Sequence, residues 1–270
     1  MDNTIEEIKN WIKKKADSKS HRIKGIWGIK CLFQPSESER KFNYNIIIIQ
    51  TNGQGACYYE GNELKKEILE TLIGQNYDFS SSINRNVEIA LLDSIADSFS
   101  ISPVYQYILE DTNDKKSIER AKIILKEVDL IAKCLGGGNI KVCNIGVVMT
   151  LIRLLIENNY TVSASDKDPE ILEKTLFNEV QIKGYDETLR LIKESDIAVV
   201  SGMVLSTNTL KNIRDTALKH NTKIVLFAET GSSFGSFYVE NNYADVVVSE
   251  PFPFYTFNGK SKIKIFKNET

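Results

Sequence analysis

Two stretches decide the fold: Asp196-Ile-Ala-Val-Val-Ser-Gly-Met-Val-Leu-Ser-Thr-Asn-Thr-Leu210 and Lys223-Ile-Val-Leu-Phe-Ala-Glu-Thr-Gly-Ser-Ser-Phe-Gly235. Each is a short apolar run, rich in β-branched residues, that ends in a turn of Gly, Ser and Thr. A strand buried on both faces reads as such a continuous run, and strands of this kind belong to parallel sheets covered by helices. The same rhythm extends outward from them. A strand is expected at 141–145, a turn at Gly146 and a helix at 148–158. A strand at 160–164 then ends in Asp166, with helical segments at 171–176 and 187–193. A helix at 209–220, a strand at 245–249 and an edge strand at 262–266 complete the series. Repeated βα units of this length predict a doubly wound, Rossmann-like parallel sheet over 139–270.

The first part of the chain reads differently. Ile5, Ile8, Trp11 and Ile12 recur at helical spacing. Strands at 26–33 and 44–50 follow, and Asn52-Gly53-Gln-Gly55 turns the chain back into a third at 56–59. Helices at 63–73 and 87–99 come next, so 1–112 is expected to be an α+β domain. A long helix at 116–135 ends at Gly136-Gly-Gly138, and 113–138 is expected to be a connecting helix and hinge.

With 270 residues, 42% of them hydrophobic and 26% charged, the chain can bury a large core. A formal net charge of -2 gives no global attraction for nucleic acid or an anionic membrane, and neither is expected as a partner. The four cysteines, Cys31, Cys57, Cys134 and Cys143, lack paired spacing and read as reduced thiols. No apolar leader or run of membrane-spanning length is seen, so a cytoplasmic protein is expected. His21 and His220 stand alone, which removes a Cys/His zinc set and a Ser/His/Asp arrangement.

Ligands of open α/β sheets bind beyond the carboxyl ends of the strands, and the candidate residues lie there. Gly146 occupies the first βα turn, where a glycine either serves a structural turn or lets a phosphate approach a helix N-terminus. Asp166, twenty residues on, either bonds a ribose diol or caps the turn before Pro169. Ser201, Gly202, Thr207, Asn208 and Thr209 supply close backbone approach, hydroxyls and an amide after the 197–200 strand. Glu229 with Thr230, Gly231 and Ser232 follows the next strand, and Glu250 the one after. Glu229 and Glu250, with Asp166, would form an acid rim able to meet a divalent metal ion or an amine. The aromatic residues Phe252, Phe254, Tyr255 and Phe257 are either a lid or interdomain packing.

The run 201–210, the Ala228-Glu-Thr-Gly-Ser-Ser233 turn and Ala244-Asp-Val-Val-Val-Ser-Glu-Pro251 together resemble the Rossmann-like domain of the heavy-metal chelation family. The hairpin around Asn52-Gly-Gln-Gly55 and the helix Ile83-Asn-Arg-Asn-Val-Glu-Ile-Ala90 resemble that family's enolase-N-terminal-like domain. The resemblance implies a cleft between two domains that handles a metal or a metal complex. The expected ligand is therefore a small molecule or metal chelate. The alternative expectation is a transferase using S-adenosylmethionine, with Gly146 at the turn and Asp166 on the ribose. The sequence leaves the oligomeric state open, a homodimer included.

Overall fold

Ile46-Ile-Ile-Ile49 shows why the amino-terminal unit needs two neighbours. Successive strand residues point to opposite faces, so four consecutive isoleucines demand burial on both. In a computed structural model, which describes residues 3–15, 21–33, 42–59, 66–81, 83–99, 101–252 and 259–268, both faces are covered. Strands β1 (Gly25–Phe33), β2 (Phe42–Gln50) and β3 (Gln54–Tyr59) form an antiparallel sheet in the order β1-β2-β3. Ile47 and Ile49 join the main core with helix α1 (Thr4–Lys15) and helix α3 (Arg85–Asp97), while Ile46 and Ile48 pack with Ala56 and Phe252. Phe252 is thus interdomain packing; Phe254, Tyr255 and Phe257 lie outside the described residues. Asn84 caps α3, its side chain accepting from the Asn86 and Val87 N–H groups. The short helix α2 (Lys66–Leu72) lies between the sheet and α3 in sequence.

The second sheet has nine strands among the described residues. These are β4 (Tyr105–Leu109), β5 (Lys141–Ile145), β6 (Thr161–Asp166), β7 (Thr175–Leu176), β8 (Val180–Gly184), β9 (Ile197–Ser201), β10 (Lys223–Ala228), β11 (Val246–Ser249) and β12 (Ser261–Lys267). Their order is β4-β12-β11-β10-β9-β5-β6-β8-β7. The central run β8-β6-β5-β9-β10-β11 is parallel and follows the 3-2-1-4-5-6 order of a doubly wound fold. Helices α4 (Asn113–Cys134) and α5 (Met149–Glu157) cover one face, through Ile124, Val128, Leu151 and Leu155. Helices α6 (Thr188–Lys193), α8 (Leu210–His220) and α9 (Gly235–Glu240) cover the other, beside a short helix α7 (Met203–Ser206). That second core runs without a break into α1 and α3, so the two sheets share one hydrophobic interior.

Four expectations are corrected. Tyr105–Leu109 is a strand of the large sheet, pairing antiparallel with β12, so the amino-terminal unit closes before residue 105 rather than at 112. Its presence makes β12 an inner strand instead of an edge. The helix α4 is no connector; it is a cover of the large sheet. The 171–176 segment is not helical: it turns into a hairpin of β7 with β8. Phe177 and Asn178 both take positive φ there, +53 and +58, in the loop Phe177-Asn-Glu179 that joins the two strands. Among the described residues, no helix is long and apolar enough to cross a membrane.

Candidate functional site

The strand order reverses between β5 and β9, and their carboxyl ends open the crevice in which ligands of such folds bind. Gly146, directly after β5, has φ +77, and a Cβ there would lie 2.7 Å from the Ser201 Cβ. Only glycine both takes that backbone and lets the two strand ends meet. The crevice is the deep end of a cleft of about 1710 Å³. One wall comes from the loops after β5, β6, β9 and β10, another from Thr112 to Arg120 around the start of α4. Asn43, Tyr44 and Tyr58 bring the small sheet to its edge.

At Gly146 the structure favours the structural reading. The buried Asn144 donates to the Gly146 and Val199 carbonyls, both at 3.2 Å, and accepts from Val148 N–H at 2.8 Å. Asp166 accepts from Val147 N–H at 2.7 Å with one oxygen and from Asp168 N–H at 2.9 Å with the other. An anion-binding helix start would offer these N–H groups to a phosphate. Here an amide and a carboxylate of the chain already occupy two of them, and the carboxylate repels a second anion.

The hydroxyl cluster after β9 closes mostly on its own backbone. Ser206 and Thr207 donate to the Met203 carbonyl, and Thr209 donates to that of Val204. Asn208 is exposed, with φ +61, and does not line the cleft. Gly202 N–H donates to Phe227 O at 2.6 Å, fixing the turn on β10. Ser201, Thr207 and Thr209 do line the cleft.

The loop after β10 is largely an interdomain dock. Thr230 Oγ1 accepts from Tyr58 N–H at 3.1 Å, Gly231 N–H donates to Ala56 O at 3.4 Å, and the buried Ser232 accepts at its carbonyl from Ser249. The outer edge of β3 is thereby paired, which an exposed edge strand needs. Asp93 of α3 completes the dock: its carboxylate accepts from Ala56 N–H at 2.9 Å and from Ser233 N–H at 2.8 Å. Arg85 adds donations to Leu205 O. None of Asp93, Arg85 or Tyr58 announces this role locally, because each has a partner more than a hundred residues away.

Burial pushes the Asp93 carboxyl up to about 7, against the pull of its N–H donors. A folded-state value above the unfolded one means the native state holds the proton longer. Stability from this group is full below about pH 4 and is lost as pH rises through about 7. In Asp93→Asn the decline of the urea midpoint between pH 5 and pH 7 is expected to be shallower than in the wild type. Parallel urea titrations across that range check it, and equal slopes would refute it.

Glu250 is not part of an open acid rim. It is fully buried after β11, where Arg120 of α4 grips it with two donations, Nη2 to Oε1 at 2.8 Å and Nε to Oε2, and Ser261 donates to Oε1. The guanidinium and hydroxyl take the place expected for a metal. Arg120 is a charge inside the apolar stripe of a long helix, which is the sequence signal for it. Glu229 remains. It lines the cleft, accepts no hydrogen bond among the described residues, and lies close enough to feel both Glu250 and Arg120. Burial first, and then the Glu250 charge, raise its carboxyl to about 8, with Arg120 opposing. Such a group exchanges its proton near neutral pH and prefers a cationic neighbour. Among the described residues no group of three or more His, Cys, Asp or Glu side chains could hold a metal ion.

No protein-family model matches this chain. No curated protein matches it either. Its fold is similar to two crystal structures of proteins of unknown function from the DUF364 family. One, from Pyrococcus horikoshii, is 12% identical, with 98% of this chain and 99% of that chain covered at a TM-score of 0.55. The other, from Desulfitobacterium hafniense DCB-2, is 11% identical, with 97% and 98% covered at a TM-score of 0.58. The likeness spans both units and concerns the fold alone.

Proposed function

We propose that the protein binds a small polar ligand, a metal ion carried in an organic chelate, in the cleft between the small sheet and the Rossmann-like sheet. The observation that carries this reading is Glu229, a carboxyl in the cleft without a hydrogen-bond partner among the described residues. Among the described residues no group of three or more His, Cys, Asp or Glu side chains is gathered to hold a bare ion. A chelate brings its own donors and needs only one carboxylate to orient it. The resemblance to the heavy-metal chelation family supports the same ligand class.

The test is calorimetry with nickel, cobalt and zinc salts, each given alone and as a preformed aminocarboxylate complex. Saturable heat is expected with complexes only, and Glu229→Gln should weaken binding at least tenfold, about 1.4 kcal/mol. Binding that survives this change, or silence across the panel, overturns the reading. A transferase using S-adenosylmethionine is the second reading, favoured by the 3-2-1-4-5-6 strand order. The two backbone bonds already held by Asp166 weigh against it. Saturable S-adenosylmethionine binding, abolished in Asp166→Ala, would establish it instead.

A further inference from the structure

Beside the cleft lies a second, much smaller space of about 20 Å³, room for one water-sized group. Tyr44, Tyr58, Met203 and Glu229 line both spaces, so the chamber adjoins the cleft. Ile46, Ala56, Cys57, Thr230 and Phe252, all buried, complete its lining. Glu229 is its one carboxyl among the described residues. Tyr44 and Tyr58 meet edge to face, with ring centroids 5.8 Å apart.

We propose that this chamber is an ammonium subsite, which receives the terminal –NH3+ of a primary amine entering from the cleft. It rests on the reading of the cleft as a ligand site and names what the ligand must carry at that end. Three features select the group. The size admits a single heavy atom with its hydrogens, so –NH3+ fits and a quaternary ammonium does not. Aromatic rings attract a cation brought over their faces, and a carboxylate supplies the opposite charge. The oxygen-bearing side chains of the lining are Glu229, Thr230 and the two tyrosines, fewer donors than a desolvated metal ion requires. A chelate with a free amine satisfies both sites: its metal stays in the wide cleft and its amine enters the chamber.

Uptake of the cation couples to a proton. The groups facing Glu229 are the Glu250 carboxylate, the Arg120 guanidinium that holds it, the phenols of Tyr44 and Tyr58, and the Cys57 thiol. Burial raises the Cys57 thiol well above its ordinary value, so it stays protonated and takes no part. Below about pH 8 Glu229 holds its proton, and a bound ammonium must displace it. Affinity therefore rises with pH up to about 8 and holds until the amine itself loses its proton, near 10.

The probe is methylammonium, metal-free, titrated against the wild-type protein and followed through the Tyr44 and Tyr58 ring resonances. Binding on the order of 10 mM is expected from two heavy atoms. Tetramethylammonium should bind at least tenfold more weakly and acetate not at all. Affinity for methylammonium should climb about tenfold per unit from pH 6 towards 8. Glu229→Gln should abolish that climb and weaken binding at least tenfold. Equal binding of tetramethylammonium, a flat pH profile, or no response to methylammonium overturns the proposal, and these three need no variant. If metal complexes bind and methylammonium does not, the amine subsite fails while the chelate reading stands. If methylammonium behaves as expected and no complex binds, the chelate reading alone fails.

Discussion

Arg120→Ala is expected to destabilise the protein by about 3–5 kcal/mol, the cost of leaving one member of a buried ion pair uncompensated. The reasoning starts from position. Arg120 is 5% exposed and Glu250 is 0% exposed, so neither charge has water to fall back on. The guanidinium meets both carboxylate oxygens of Glu250, and Ser261 adds a third donor to Oε1. Removing the arginine leaves Ser261, among the described residues, as the remaining side-chain donor to that carboxylate. It also removes the positive field that opposes the rise of the Glu229 carboxyl, so Glu229 should titrate at a still higher pH. The double change Arg120→Met with Glu250→Gln should recover most of the lost stability, because a buried pair is dispensable together and not singly. Urea unfolding of the two variants decides it. A loss under about 1 kcal/mol in Arg120→Ala would mean that water reaches the pair.

The parts of this fold that were legible in the sequence are those in which one residue type answers one local demand. The β9 and β10 runs are apolar throughout because both faces are buried, and they read as parallel strands at once. The run Ile46-Ile-Ile-Ile49 announced a strand in the same way. Tyr105–Leu109 did not, since an edge strand with exposed Tyr105, Gln106 and Ile108 has no continuous apolar signal. The β7–β8 hairpin was hidden by a turn built on Phe177 and Asn178 in place of a glycine pair. The site divides along the same line. Strand-end loops were identifiable, but their uses depend on distant partners. Thr230 and Gly231 serve β3, Glu250 serves Arg120, and Asp166 serves its own backbone, which leaves Glu229 facing the cleft. A Gly/Ser/Thr-rich turn looks alike whether it awaits a ligand or another sheet.

Gly55→Ala should be among the most damaging single-methyl changes at the described glycines, at about 3 kcal/mol. A Cβ at Gly55 would stand 2.2 Å from Ser94 N and 2.3 Å from Ala90 O, both backbone atoms in the middle of α3. A flexible side chain could swing aside; a helix backbone cannot, so strand and helix must part. The strain would not stay local. Ala56, the next residue, holds Asp93 and Gly231 through its backbone, and Tyr58 holds Thr230. Both residues also line the ammonium chamber. Stability and methylammonium binding should therefore fall together in Gly55→Ala. In Gly28→Ala, where a Cβ meets nothing within 4 Å, both should stay near wild type, the stability within about 0.5 kcal/mol. Urea unfolding and the ring-resonance titration on the two variants give the comparison. If Gly55→Ala loses stability yet binds methylammonium normally, then β3 does not shape the chamber, and the walls that matter are those of the large sheet.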